Sequence, residues 1–403
     1  MPSLIFRKGL DLKHAVAGML AENYHSQVIE QIKANDFTYR VGRLTLHLAR
    51  EFGFCYGVDR AVDYAYQARQ RFPNQRVFLT GEIIHNPHVN DKLRAMGIGF
   101  LNDGSRASDH SLAPEEMIAA IDGLEPSDVV ILPAFGVTVA MLQRLERRGC
   151  TLVDTTCGSV LNVWKNVRRY AEGGYTSIIH GKMWHEETQA TASHAVMYGG
   201  HYIVVFDDRE TEAVCDYIKR GGDRAAFLDR FSKATSAGFD PDRDLQRVGL
   251  ANQTTMLMSE SLAIGEMFRK AMVERWRADQ IESHYLAFDT ICSATQDRQD
   301  AVLALLRDRP IDLFVVIGGY NSSNTANLAR MCADARPTFH VADPDCLLSP
   351  DEIRHRPIGA KAEIVTTSWL PRTGPVNIGL TSGASTPDNL VGATVAKLEA
   401  FCG

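Results

Sequence analysis

Five stretches of this chain repeat one pattern. A short run of β-branched and apolar residues leads into a loop of Gly, Ser, Thr, Asn or His, and the loop opens a helix-like segment. The stretches are RVFLTGEIIHNPHVNDKLRAM, DVVILPAFGVTVAMLQRLERR, YTSIIHGKMWHEETQATASHA, DLFVVIGGYNSSNTANLARMC and VNIGLTSGASTPDNLVGATVAKL. Apolar runs that alternate with amphipathic helices form βα units, and these assemble into mostly parallel sheets. The expected fold class is therefore α/β. In such units the functional groups collect at the carboxyl ends of the strands, where helix N-termini present free N–H groups.

At 403 residues the chain is long enough for two or three domains. Residues 1–48 read as a polar, helical N-terminal extension, with AENYHSQVIEQIKAND suggesting one amphipathic helix. Two stretches break the βα rhythm. SRASDHSLAPEE (105–116) reads as a surface loop, and residues 221–249 read as a charged, partly helical insertion.

Bulk properties exclude several function classes. The net charge of −6 provides no basic field for nucleic acid. The N-terminal residues lack the clean apolar core of a signal peptide. The longest apolar run, Val129–Leu142, is too short to span a bilayer and contains Pro133 and Gly136. A cytoplasmic protein with no membrane partner is expected.

The chain has eight cysteines and no C-x-x-C, which leaves zinc-ribbon and thioredoxin-type motifs unsupported. Cys150, Cys215, Cys332, Cys346 and Cys402 read as small buried hydrophobes, the ordinary state of a free cysteine. The other three stand apart. TLVDTTCGSV and AFDTICSAT share Asp-Thr-x-Cys, which puts Cys157 and Cys292 in matching settings. Cys55, in LAREFGFCYGVDRAVDYAYQA, also falls between a strand-like stretch and a helix. A thiol at a helix N-terminus is biased toward thiolate, the form that binds metal or attacks. If each βα region supplied one such thiol, the three could share one centre. Soft sulfur ligands select zinc, copper(I) or iron–sulfur clusters. Spacing does not choose among these, nor between any of them and three buried, unreactive cysteines.

GGYNSSNTANL and TSGASTPDNL place hydroxyls and amides at helix starts, a setting that suits phosphate. Ser and Asn are equally ordinary N-caps, so a single such loop carries little weight.

Eight stretches taken in order resemble the 4-hydroxy-3-methylbut-2-enyl diphosphate reductase family: GFCYGVDRAV, EIIHNPHVN, DTTC, SIIHGKMWHEET, ANQTTM, TICSATQDRQDA, VVIGGYNSSNT and TSGASTPDNLV. The resemblance runs from about Arg43 to the C-terminus, and its wording is similar to the branch of cyanobacteria and plant plastids. It implies three similar α/β domains in a trefoil around a central cluster, divided as 57–156, 157–288 with the insertion 221–249, and 49–56 plus 289–403. It implies one [4Fe–4S] cluster held by Cys55, Cys157 and Cys292. It implies a substrate diphosphate held by His85, His185, Thr254, Ser322, Ser323, Asn324 and Ser385, with Glu187 as the acid that delivers a proton. The implied reaction is reductive dehydroxylation of (E)-4-hydroxy-3-methylbut-2-enyl diphosphate to isopentenyl and dimethylallyl diphosphate. Its electrons would come from a donor such as ferredoxin or flavodoxin. A non-catalytic iron–sulfur electron carrier and a zinc-dependent hydrolase are the competing readings.

On the same comparison Glu186 reads as a solvated helix-start acid, Asp154 and Asp289 as braces of their cysteine loops, His180 as structural, and Lys182 and Trp184 as loop-surface residues. Two positions depart from the family. Phe135 stands where many bacterial members carry His, and Gly158 follows the second cluster cysteine where Pro is common.

Overall fold

A computed structural model describes residues 4–102, 114–288 and 290–402. Asp289 and residues 105–113 of the expected surface loop lie outside the described residues. The chain divides into two compact units. One comprises Met1–Leu4, Ile118–Pro126 and Leu132–Cys292; the other comprises Ile5–Met117, Ser127–Ile131 and Ser293–Gly403.

The first unit is built on a four-stranded parallel sheet in the order Tyr285–Ala287, Val248–Asn252, Thr176–His180, Tyr202–Val205. Every residue of Thr176–His180 and Val248–Asn252 is buried. These strands read as continuous apolar or small runs because helices cover parallel strands on both faces. The helices Asp208–Arg220 and Met258–Trp276 bury Val214, Ile218, Ile264 and Phe268 against the sheet. Each such side chain contributes about 1.5–3 kcal/mol when fully removed from water. The insertion forms two short helices, Arg224–Arg230 and Pro241–Asp244, capped by Asp223 and Asp240.

The second unit contains a five-stranded sheet in the order Thr338–Val341, Leu313–Ile317, Val376–Ser382, Leu44–Leu48, Thr38–Val41. All neighbours are parallel except the outermost pair, Thr38–Val41 with Leu44–Leu48. A second patch of this unit pairs Val77–Leu79 in parallel with Ile98–Phe100 and with Val129, Val130 and Ile131.

The N-terminal residues are more than a polar extension. The single helix expected over AENYHSQVIEQIKAND is broken into Lys13–Tyr24 and Gln27–Ala34, with His25 and Ser26 extended between them. At the break the chain packs closely on the C-terminal helix: a Cβ added at Gly392 would lie 2.1 Å from Ser26 Oγ. After the break, Ile29 and Ile32 enter the core of the five-stranded sheet. No described helix is long and apolar enough to cross a membrane.

His180 and His340 are buried at 0% and 2% exposure. Burial pushes the pKa of each down to about 4 from the usual 6.5. The unfolded chain therefore binds protons first as pH falls. The stabilising contribution of these residues is complete above pH 6.5 and is lost as pH drops toward 4. The loss should reach roughly 2–3 kcal/mol per histidine at full protonation, visible as a falling urea midpoint. In His180→Gln, which has no proton to gain, the same titration should show a shallower acid limb.

Candidate functional site

The loops of interest all leave the carboxyl ends of strands, and each unit gathers its own set. In the first unit, the strand Thr151–Asp154 runs into Cys157, the N-cap of the helix Gly158–Glu172. Asp154 Oδ1 accepts from Thr156 N at 3.0 Å and from Thr156 Oγ1 at 2.6 Å, so this aspartate braces the cysteine loop. The Cys157 amide donates to Ala134 O at 2.8 Å. That places Phe135, whose ring lies edge-on to His185 at 6.2 Å, beside the loop. Gly136 follows with φ +79°, and a Cβ there would lie 2.5 Å from the Trp164 ring. Only glycine satisfies both conditions.

His185 is the N-cap of the helix Glu186–Met197, and its Nδ1 accepts from Glu187 N at 3.2 Å. An accepting Nδ1 carries no hydrogen, so in the neutral ring Nε2–H is the donor. Glu187 is only 2% exposed. Its two oxygens face Thr254: the Thr254 amide donates to Oε1 at 2.6 Å, and the Thr254 hydroxyl lies 2.9 Å from Oε2. Glu186, one residue earlier, has a side chain 47% exposed. Adjacent residues at a helix start point apart, which separates the two acids. Gln253 ties the two loops together, accepting from Lys182 N at 3.0 Å and from Thr188 Oγ1 at 3.2 Å. The Cys292 amide donates to Thr254 O at 3.3 Å, and Thr290 Oγ1 accepts from Asn252 N at 2.9 Å. His180 bonds Ser261 Oγ at 2.8 Å behind these loops and is structural, whereas Trp184 is 65% exposed.

The second unit makes a comparable cluster. Cys55 caps the helix Tyr56–Arg71, and its amide donates to Ala384 O at 3.2 Å. The Ala384 amide in turn donates to Asn324 Oδ1 at 2.9 Å, which joins the GAST and NSSN loops across 60 residues. Ser385 Oγ donates to His85 O at 3.2 Å, which adds the IIHN loop. Glycines permit these approaches. A Cβ at Gly383 would fall 1.9 Å from Thr325 Oγ1, and one at Gly319 would fall 2.7 Å from His85 O.

Ser322 is an N-cap, accepting from Thr325 N at 3.3 Å. Capping and ligand binding do not compete here, because the cap uses a lone pair and leaves the O–H to donate. Ser323 and Asn324 open the helix Ser323–Ala333 and are both buried. Asn324 Nδ2 is buried and finds no hydrogen-bond partner among the described residues. A buried amide donor left unmatched costs about 1–3 kcal/mol, which an anion at this helix N-terminus would offset.

The cysteines divide as their settings do. Cys150, Cys215, Cys332 and Cys346 are buried. Burial pushes the Cys215 thiol up to about 12 and the Cys332 thiol higher still, so neither offers a thiolate at neutral pH. Cys402 differs from its expected burial: it is half-buried, in the turn that ends the C-terminal helix Asp388–Ala400. Cys55, Cys157 and Cys292 are all half-buried, each immediately before or at a helix start, each with its own amide fixed to a neighbouring loop.

Two residues near these loops escape sequence reasoning. Arg298 is 3% exposed and donates to Gly53 O at 2.6 Å, bracing the Cys55 loop from 245 positions away. Glu82 bonds both His85 and Asn321, the latter 239 positions distant. The one available signal for Arg298 is a cation on an otherwise apolar helix stripe in TQDRQDAVLALL. For Glu82 it is only a position three residues before His85.

Comparison with known proteins adds an independent line. The family model described as "LytB protein" matches residues 46–399. The 4-hydroxy-3-methylbut-2-enyl diphosphate reductase of Thermosynechococcus vestitus is 47% identical over 396 residues, covering 98% of this chain and 94% of that one. The protein of the same name from Gloeobacter violaceus is 47% identical over 394 residues, covering 98% and 91%. Among solved structures, the reductase of that kind from Plasmodium falciparum superposes with a TM-score of 0.59 at 20% identity, over 87% of this chain and 86% of that one. A second structure, described as the terminal enzyme of the non-mevalonate pathway, gives a TM-score of 0.51 at 24% identity over 88% and 99%. At these identities the structures bear on the fold alone.

Gly158 can be tested directly. It is the first helical residue, a Cβ there would meet nothing within 4 Å, and Cys157 before it has φ −63° and ψ 145°. Proline is favoured at the first helical position and prefers an extended residue before it. Gly158→Pro should therefore raise stability by about 0.4–1 kcal/mol by restricting the unfolded chain. A lower melting temperature for this variant would show that the Cys157 loop needs the freedom of glycine.

Proposed function

The chain belongs to the LytB protein family, and on that footing we propose how its residues carry the reaction. It reductively dehydroxylates (E)-4-hydroxy-3-methylbut-2-enyl diphosphate to isopentenyl and dimethylallyl diphosphate, the last step of the non-mevalonate isoprenoid route. The observation that carries this reading is that each unit holds a polar cluster of its own character. One is a cluster of neutral donors with a buried, unmatched amide at Asn324. The other is a nearly water-free carboxyl at Glu187, bonded on both oxygens.

Enzymes of this family are iron–sulfur proteins, and the donor set here suits such a group. Three half-buried thiols stand at helix starts, while the two thiols most strongly raised by burial lie elsewhere. In this reading Cys55, Cys157 and Cys292 hold one [4Fe–4S] cluster. When bound, the cluster would supply electrons and Lewis-acid chemistry for the substrate hydroxyl.

The remaining work falls to the chain. Ser322, Ser323, Asn324, Ser385 and His85 bind the diphosphate through hydroxyl, amide and ring donors at a helix N-terminus. His185 presents Nε2–H, since its Nδ1 is already used by Glu187 N. Thr254 holds Glu187 by its amide, leaving Oε2 within 2.9 Å of the Thr254 hydroxyl. A proton on Oε2 is then shared along a short hydroxyl–carboxyl line, and the leaving hydroxyl receives it. Burial keeps bulk water from competing for that proton. The physiological electron donor is of the ferredoxin or flavodoxin kind, and the enzyme works in the cytoplasm.

Cysteine selectivity tests the cluster. Cys55→Ser, Cys157→Ser and Cys292→Ser should each lose iron and activity after anaerobic purification, whereas Cys150→Ser should retain both. Full iron content in Cys292→Ser would count against the assignment.

Glu187→Gln tests the proton donor. It should still bind substrate and retain its cluster spectrum, yet turn over about 10²–10⁴ times more slowly with a reduced viologen. Glu186→Gln serves as the control. A larger defect in the control would move the acid role to Glu186.

A further inference from the structure

Glu82 lies in the loop between Val77–Leu79 and the helix Pro87–Ala95, three residues before His85. A single oxygen, Oε2, accepts from His85 Nδ1 at 2.9 Å and from Asn321 Nδ2 at 2.7 Å. These lengths are those of well-formed hydrogen bonds. The Glu82 and His85 side chains are 25% and 14% exposed, so solvent does not screen the pair away. The two loops are pressed together where they meet, since a Cβ at Gly319 would fall 2.7 Å from His85 O and 3.0 Å from Asn321 Oδ1. The bond from Asn321 to Glu82 is the one that needs both loops in place.

The bond to Glu82 determines what His85 can offer. An ionised carboxylate only accepts, so Nδ1 carries the hydrogen in that bond. A neutral ring would then present a bare lone pair at Nε2, which repels a diphosphate oxygen. Only the doubly protonated ring gives a diphosphate a second N–H, and a carboxylate on Nδ1 favours that form. His185 is arranged the opposite way: its Nδ1 accepts from a backbone amide, so its neutral ring is already a donor at Nε2. The two histidines therefore need different support: Glu82 sits at hydrogen-bond distance from His85 Nδ1, 2.9 Å, whereas the carboxylate nearest His185 Nδ1, that of Glu186, is 4.0 Å away.

We propose that Glu82 is a positioning residue for diphosphate binding, holding His85 as a cationic donor and locking the IIHN loop to the NSSN loop through Asn321. This inference rests on the diphosphate reading of the preceding section. Glu82 does not touch substrate in this scheme; it acts through His85 and Asn321.

The test uses calorimetric titration with inorganic pyrophosphate, together with KM and kcat of the holoenzyme under viologen reduction. Glu82→Ala should weaken pyrophosphate binding and raise KM by about 10-fold or more, the usual cost of removing a residue that orients a binding group. Its kcat and cluster absorbance should stay near wild type. Glu82→Gln, which accepts hydrogen bonds but carries no charge, should stay closer to the alanine variant than to wild type. Because Glu82 acts in large part through His85, Glu82→Ala combined with His85→Ala should weaken pyrophosphate binding by clearly less than the sum of the two single losses. Additive losses in that cycle, or wild-type pyrophosphate affinity in Glu82→Ala beside a defective His85→Ala, would overturn this inference alone. Wild-type affinity in His85→Ala would overturn the diphosphate reading and this inference with it.

Discussion

The amide of a cysteine donating to the carbonyl of a neighbouring loop is the bond on which the arrangement depends. It occurs for Cys55 to Ala384, Cys157 to Ala134 and Cys292 to Thr254. Each bond fixes the thiol's backbone before its helix begins and leaves the side chain uncommitted to capping, as the helix starts after Cys55 and Cys157 show. Each also ties the cysteine to a loop whose next residues line the polar cluster of the same unit. Ala384 adjoins Ser385, Ala134 adjoins Phe135, and Thr254 binds Glu187. The backbone thus links each cysteine to a neighbouring loop, so disturbing one loop disturbs the other.

Close approach of these loops needs residues without a side chain. Gly383 against Thr325, Gly319 against His85, Gly136 against Trp164 and Gly181 against Thr188 all lie where a Cβ would come within 3 Å of a neighbouring heavy atom. These glycines sit at strand ends, where a parallel sheet presents helix N-termini at its carboxyl edge. Room for side-chain donors is made by the absence of other side chains. Phe135 belongs to the same economy of space: its half-buried ring contacts His185 by its edge, a packing role in place of the polar contact that His would make.

The charged groups of the two clusters are treated differently. Glu187 is removed from water, and the amide and hydroxyl of Thr254 donate to it, one to each oxygen. Glu82 keeps a quarter of its side chain exposed and is shared by two donors, which suits a fixed negative charge beside a cation. The histidines that take no part, His180 and His340, lie deeper, where burial keeps them neutral.

Much of this was legible in the amino-acid sequence because it is local. The βα rhythm, the polar helix start at Ser322 and the three strand-to-helix cysteines each depend on residues a few positions apart. The braces Asp154 and Thr156, and the separation of Glu187 from Glu186, follow from turn and helix periodicity. Other features required the tertiary structure, because the residues that make them are far apart in the chain. The strand Leu44–Leu48 pairs with Val376–Ser382, and no local pattern names that partner. The helix breaks at His25–Ser26, where Ser26 packs on Gly392, against the helical periodicity of AENYHSQVIEQIKAND. Arg298 at the Cys55 loop, Asn324 at Ala384 and Glu82 at Asn321 join loops separated by 245, 60 and 239 positions. Sequence determined which residue types stand at the ends of which strands. Tertiary packing alone decided which of those ends touch, and so which carboxylate is buried against Thr254 and which is shared by His85 and Asn321.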